Sequence, residues 1–245
     1  MNGQIAVDLV NLLYPPRCCA CGADAAGWLC GTCDAELNEL ANCVSCPACA
    51  LPLAMAGSPC PWCHGRSIPP FEQIVTLAVF QDPLKQLIHR AKFHGRWQTA
   101  EQLAMRLGEQ ARVIALLSQT DVLVSVPLHW TRQIRRGYNQ SDLLARTLGK
   151  QHRLPVSTAV ARIRRTPAQT TLHAREKRQK NVREAFALRK PDSIAGKRVV
   201  LVDDVMTTAA TLRAVGYALQ GAKPASVSAL VLAVADPRRR EFEAV

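Results

Sequence analysis

Ten cysteines fall between Cys18 and Cys63, and none occurs in the 182 residues that follow. Eight of them form CxxC pairs: Cys18 with Cys21, Cys30 with Cys33, Cys46 with Cys49, and Cys60 with Cys63. A CxxC turn presents two thiolates to one metal at about 2.3 Å, and two such turns close a tetrahedral zinc site. Four pairs therefore predict two Zn2+ ions. Sequential pairing is the simplest arrangement, and a cross-braced one uses the same ligands. Cys19 and Cys43 are left over, and the alternative turn from Cys43 to Cys46 competes with the turn from Cys46 to Cys49. Closed four-thiolate sites leave no position for water, so their expected role is structural. Cys60-Pro-Trp-Cys63-His64 also matches a haem-attachment pattern, but no export signal accompanies it. Metal should supply most of the folding energy of so small a head. Chelation is expected to unfold residues 17–65 and spare the rest.

The second chemical segment is Val199-Val-Leu-Val-Asp-Asp-Val-Met-Thr-Thr-Ala-Ala-Thr211. An apolar run delivers Asp203 and Asp204 to the end of a strand, where open α/β sheets bind ligands. Small and hydroxyl residues follow and open a helix, whose free N–H groups suit an anion. The carboxylates would repel a phosphate and suit sugar hydroxyls, with Mg2+ nearby.

These residues need a scaffold. From residue 72 onward, strand and helix patterns alternate. Ile74–Phe80, Val122–Val126, Val199–Val202 and Ser226–Val234 read as strands. Helical stretches follow Phe80, span Ala100–Leu117 with a break at Gly108, and cover Ser141–Gly149 and Leu212–Leu219. Strands apolar on both faces and separated by helices predict an α/β fold, a parallel sheet flanked by helices. The shift in cysteine content and charge near the Pro pair at 69–70 divides the chain into residues 1–68 and 69–245. Residues 1–68 hold the double zinc ribbon and a short N-terminal amphipathic helix bearing Ile5, Leu9 and Leu12.

The acidic segment resembles the phosphoribosyl-pyrophosphate (PRPP) signature of type I phosphoribosyltransferases. The whole chain is similar to the ComF competence-protein family. The likeness rests on the four CxxC pairs, AKFHG at 91–95, VSVPLHWTRQIRRGYNQSDLLA at 124–145, RIRRTPAQTTLHAREKRQKNVREAF at 162–186, and the signature itself. This resemblance implies that Asp203 and Asp204 hold the ribose 2′- and 3′-hydroxyls. Thr207, Thr208, Ala209, Ala210 and Thr211 would cradle the 5′-phosphate. The turn at Pro127 and Leu128 would face the pyrophosphate, with charge from Arg132, Arg135 or Arg136. Ala209 stands where the family has Gly, a departure that costs about 1 kcal/mol or somewhat more if the backbone needs a positive φ.

Charge divides the chain in the same place. Residues 1–70 carry a balance of −3 and residues 71–245 a balance of +15. A basic body predicts anionic partners. No apolar run is long enough to cross a membrane, and the start lacks the basic residues of a secretory signal, so a cytoplasmic protein is expected. Two functions follow from the resemblance. One is a Mg2+-dependent phosphoribosyltransferase of unidentified acceptor, serving DNA uptake. The other is a PRPP-sensing or single-stranded-DNA-handling module that works with a helicase or recombination partner. The basic run Arg162–Arg183 would serve as a DNA grip or a lid, and Trp97, Trp130 and Tyr138 are the candidate stacking residues.

Overall fold

The computed structural model describes residues 16–93, 96–128, 133–134, 137–163 and 185–236. The expected N-terminal helix, Trp130 and most of the Arg162–Arg183 run lie outside them.

The strands are β1 (Ile74–Val79), β2 (Val122–Ser125), β3 (Val156–Ser157), β6 (Arg198–Met206) and β7 (Ser226–Val234). They form one parallel sheet in the order β1-β7-β6-β2-β3. Helices α2 (Leu84–Phe93), α3 (Trp97–Gly108) and α5 (Gln140–His152) cover one face. There Leu87, Leu103, Leu107, Leu144 and Leu148 pack on Val200 and Val202. Helix α6 (Ala210–Gln220) covers the other face, with Leu212, Val215 and Leu219 on Val199 and Leu201. The period-2 alternation along β6 sends neighbouring residues to opposite faces, which is why its apolar run needs no polar side. The α/β expectation holds. A short helix, α4 (Ala111–Leu117), follows the break after Gly108, and a small antiparallel pair, β4 (Val160–Arg162) with β5 (Phe186–Leu188), lies beside α6.

The cysteine head is built around α1 (Gly31–Asn42), which packs against β1 at the sheet edge. Its two halves part around that edge. Cys18, Leu29, Cys33, Leu37 and Ala41 join the apolar cluster of one face, whereas Cys46, Cys49, Leu51 and Cys60 join that of the other. The head and body therefore share both cores. The apolar residues of the head are part of the body's packing, which bears on the expectation that chelation unfolds residues 17–65 and spares the rest.

Arg112 of α4 reinforces the junction, donating to the carbonyls of Ala41 at 2.8 Å and Leu77 at 2.7 Å. Arg106 pairs with Asp34 at 3.0 Å and also bonds Asn38.

Candidate functional site

Strand β6 is longer than its apolar run predicts. Ser125, the last residue of β2, pairs with Val202, while β6 continues through Met206 against β7 alone. Beyond β2, one side of β6 has no strand partner among the described residues. Helix α5, which follows β2, and α6, which follows β6, lie on opposite faces of the sheet. This is a topological switch point, where open α/β sheets form their ligand crevice.

Both carboxylates lie within the strand, so alternation separates them. Asp203 lines a hollow with Thr207, Thr208, Ala209, Ala210 and Thr211, closed beneath by Met206 and Leu212. The structure thus brings the whole predicted phosphate cradle to one carboxylate. Thr207 and Thr208 are exposed, and no acidic residue occupies the first turn of α6. The first N–H groups of that helix have no intrahelical partner, so the loop and helix start present free donors of the kind that suit an anion. Ala209 sits at the N-cap with φ 56° and ψ 7°, in the left-handed region that Gly adopts without cost.

Asp204 turns the other way. It lines a second hollow with Ile88, Ala91, Lys92, Ala100, Gln140, Leu144 and Leu232. Its Oδ2 lies 3.1 Å from the Lys92 Nζ, and its Oδ1 accepts from the Val205 N–H at 2.7 Å. The Asp203 Oδ1 accepts from the Ser141 hydroxyl at 2.8 Å and the Asp204 N–H at 2.9 Å. Burial, reinforced by the neighbouring Asp204 charge, raises the Asp203 carboxyl to about 7 against the bonds from Ser141 and the Asp204 N–H and the Lys92 charge.

The segment before α5 ties the crevice together. Tyr138 donates to the Ala91 carbonyl at 2.6 Å, Asn139 donates to the Val126 carbonyl at 3.1 Å, and the Asn139 side chain caps α5 by accepting from the Ser141 N–H. Asn139 is thus the helix cap that its residue type permits. Tyr138, expected as a stacking residue, holds the C-terminal end of α2 with its hydroxyl and is partly exposed. Trp97 is 49 % exposed at the start of α3. Pro127 and Leu128 follow β2 half-buried and line neither hollow. Arg132, Arg135 and Arg136 lie outside the described residues. Lys92 and Ser141 were not singled out as site residues, although AKFHG and YNQS carried them in full view.

In the head, the ligand atoms of Cys18, Cys21, Cys30 and Cys33 lie within 4.8 Å of one another, as do those of Cys46, Cys49, Cys60 and Cys63. Sulfur separations of 3.7 Å (Cys21 to Cys30) and 3.4 Å (Cys46 to Cys63, Cys49 to Cys60) approach the roughly 3.8 Å edge of a tetrahedron with 2.3 Å bonds. The pairing is sequential. Left-handed Gly22, Ala50 and His64 each follow the second cysteine of a pair, while Cys30 and Cys33 begin α1. Cys43 ends α1 with its thiol donated to the Glu39 carbonyl, outside both clusters.

The thiols of each cluster divide their protons unequally. Burial raises Cys33 and Cys49. Burial also opposes ionisation of Cys18 and Cys60, but backbone N–H groups outweigh it and hold them at about 6 and about 7. Four thiols this close cannot all ionise without a cation, and a soft dication fits the set.

Fold and site together define a phosphoribosyltransferase-type domain joined to a zinc ribbon. Residues 134–244 match the phosphoribosyl transferase domain family, and residues 9–64 match the double zinc ribbon domain family. The chain is 40 % identical over 178 residues to the DNA utilization protein YhgH of Escherichia coli K12, covering 71 % of this chain and 77 % of that one. It is 36 % identical over 215 residues to YhgH of Salmonella typhimurium, covering 85 % and 92 %. It is 31 % identical over 212 residues to competence protein F of Haemophilus influenzae, covering 83 % and 90 %. The chain belongs to this ComF/YhgH family. No helix among the described residues is long and apolar enough to cross a membrane.

Proposed function

We propose that the crevice binds PRPP with Mg2+ and that the protein serves DNA utilisation in the cytoplasm as a phosphoribosyltransferase. The observation that carries this reading is the convergence of Asp203 on the 207–211 cradle. The loop N–H groups and the threonine hydroxyls hold the 5′-phosphate. Asp203 accepts from ribose hydroxyls through its remaining oxygen, oriented by Ser141. Mg2+ supplies charge neutralisation of the pyrophosphate leaving group, and Arg132 and Arg136 add to it. Two Zn2+ ions hold the head through the eight paired cysteines. The division at residues 68/69 then separates a structural head from a ligand-binding body that is joined to it by packing.

The test is calorimetric titration with PRPP, with and without Mg2+, followed by assay for pyrophosphate release. Saturable binding that Asp203→Ala abolishes supports the reading, and absence of binding overturns it. Release of pyrophosphate with a candidate acceptor distinguishes an enzyme from a sensor.

The +15 balance of the body and the names of the relatives favour a second reading, direct handling of single-stranded DNA. Each phosphate contact on a single strand adds about 0.7 to the salt slope, so Arg162, Arg164 and Arg165 changed together to Ala should flatten it by roughly two. No DNA binding at low salt would leave the role to a protein partner such as a helicase or recombination factor.

A further inference from the structure

One of the two neighbouring acids faces the 207–211 cradle, and the other does not. Strand β6 stays paired with β7 through Val205 and Met206, so its alternation is fixed on both sides of the acidic pair. Asp203 therefore lines the cradle, and Asp204 lines the hollow on the other side. Both oxygens of Asp204 are engaged there, Oδ1 with the Val205 N–H at 2.7 Å and Oδ2 with the Lys92 ammonium at 3.1 Å. It has no acceptor to lend to the cradle.

Asp203 is 9 % exposed, and one of its oxygens is occupied as well. Its Oδ1 accepts from the Ser141 hydroxyl at 2.8 Å and from the Asp204 N–H at 2.9 Å. Its Oδ2 has no hydrogen-bond partner among the described residues. A carboxylate that grips a vicinal diol uses one oxygen for each hydroxyl, and two acids facing the same way can divide the diol between them. Neither arrangement is open here, so a single carboxylate oxygen meets the sugar.

The consequence for specificity follows from how a site rejects an analogue. A missing hydroxyl is penalised when it leaves a buried polar group of the protein without its partner. Asp204 already has its partners, so a hydroxyl missing on its account leaves nothing unpaired. The hydroxyl that Asp203 does take is set by reach. Asp203 and the phosphate donors line one hollow, and the 3-hydroxyl stands on the carbon next to the one that carries the phosphate arm. The 2-hydroxyl is one carbon further away.

We propose that the crevice reads its sugar through the 3-hydroxyl alone, with Asp203 as the specificity-determining residue, and so takes 2-deoxyribose 5-phosphates as readily as ribose 5-phosphates. This rests on the phosphoribosyl reading above and narrows it from a diol to one hydroxyl. The ligand class then includes the sugar phosphate of DNA as well as that of RNA.

The experiment is calorimetry on the zinc-loaded full chain at pH 8, where Asp203 is ionised. Three probes are compared: ribose 5-phosphate, 2-deoxyribose 5-phosphate, and xylose 5-phosphate, whose 3-hydroxyl is inverted. The first two should agree within about threefold, and the third should bind at least about tenfold more weakly, the loss of one hydrogen bond to a charged acceptor. Asp203→Asn should weaken the first two by a common factor. Ribose 5-phosphate binding about tenfold or more tighter than its 2-deoxy counterpart overturns the proposal and leaves the phosphoribosyl reading standing. So does xylose 5-phosphate binding as well as ribose 5-phosphate, since the 3-hydroxyl would then go unread. Failure of all three to bind also overturns the proposal, and titration with PRPP then decides whether the phosphoribosyl reading falls with it.

Discussion

Ala209 holds a backbone conformation that costs an L-residue about 1–2 kcal/mol, at the point where the cradle turns into α6. Gly would relieve it but would enlarge the unfolded ensemble, an effect of about 0.4–1 kcal/mol in the opposite direction. Ala209→Gly should therefore change stability little in thermal unfolding, yet tighten phosphate or PRPP binding by up to about tenfold, since the N–H groups could relax onto the anion. The acids behave oppositely to each other. With its carboxyl raised by burial from 3.8 to about 7, Asp203 penalises the folded state wherever it is ionised. The penalty is full above pH 7 and shrinks as pH falls, because the folded form takes up its proton near 7 and the unfolded form only near 4. Asp203→Asn should stabilise by about 1–2 kcal/mol at pH 8 and by almost nothing at pH 4, read from denaturant midpoints at both values. Ligand affinity in the wild type should rise with pH through 7, as the hydroxyl-accepting form appears. Asp204→Asn leaves buried Lys92 unpaired and should destabilise by about 3 kcal/mol. The two acids thus part company where simple repulsion between neighbours predicts the same relief from both. The strand-end carboxylates and the loop opening a helix were legible in VVLVDDVMTTAAT because every part is local. The Lys92 contact was not, since its partner is 112 residues away and only the packing of α2 brings them together.

Among the elements, helix breaks and strand cores were readable and strand ends were not. The interruption at Gly108 is real, since α3 ends there, and the position is also a close approach between helices. A Cβ there would lie 2.2 Å from the Gln151 Oε1, where α3 presses on the end of α5. Strand β6 overran its apolar stretch by four residues because β7 supplies partners for Asp203 through Met206, a pairing invisible in local pattern. That overrun decides which way each acid faces. Helix α1 is masked in the sequence because a metal-ligand pair occupies its start, with Cys30 at the N-cap and Cys33 in the first turn. The α4 helix is anchored by Arg112, whose guanidinium takes the outward carbonyl of Leu77 on the edge strand and that of Ala41 on α1. Arg112→Met should strand two carbonyls and cost about 2–3 kcal/mol, a loss measurable in urea. Arg112→Lys should recover part of it, because an ammonium cannot span both acceptors as a planar fork can.

At the scale of the whole molecule, the composition boundary near residue 70 is not a boundary in packing. Each four-cysteine cluster contributes to the core of a different sheet face, so the head grips β1 from both sides. Removing metal with a chelator should lower the melting temperature of the entire chain in one transition, and hydrogen exchange in β1 should accelerate along with that of residues 17–65. An unchanged body transition in calorimetry would show that the two parts are independent after all. Such a grip also affects how the chain is made. Ile74 pairs with Ala229, and the other partners of β1 in β7 lie equally far along the chain. At 5–20 residues per second, synthesis leaves the first strand of the sheet waiting on the order of ten seconds for its neighbour. The cysteine head, which precedes β1 in the chain, is made before that interval begins. Once loaded with metal it can shield one margin of the waiting strand, a chaperone carried at the front of its own polypeptide.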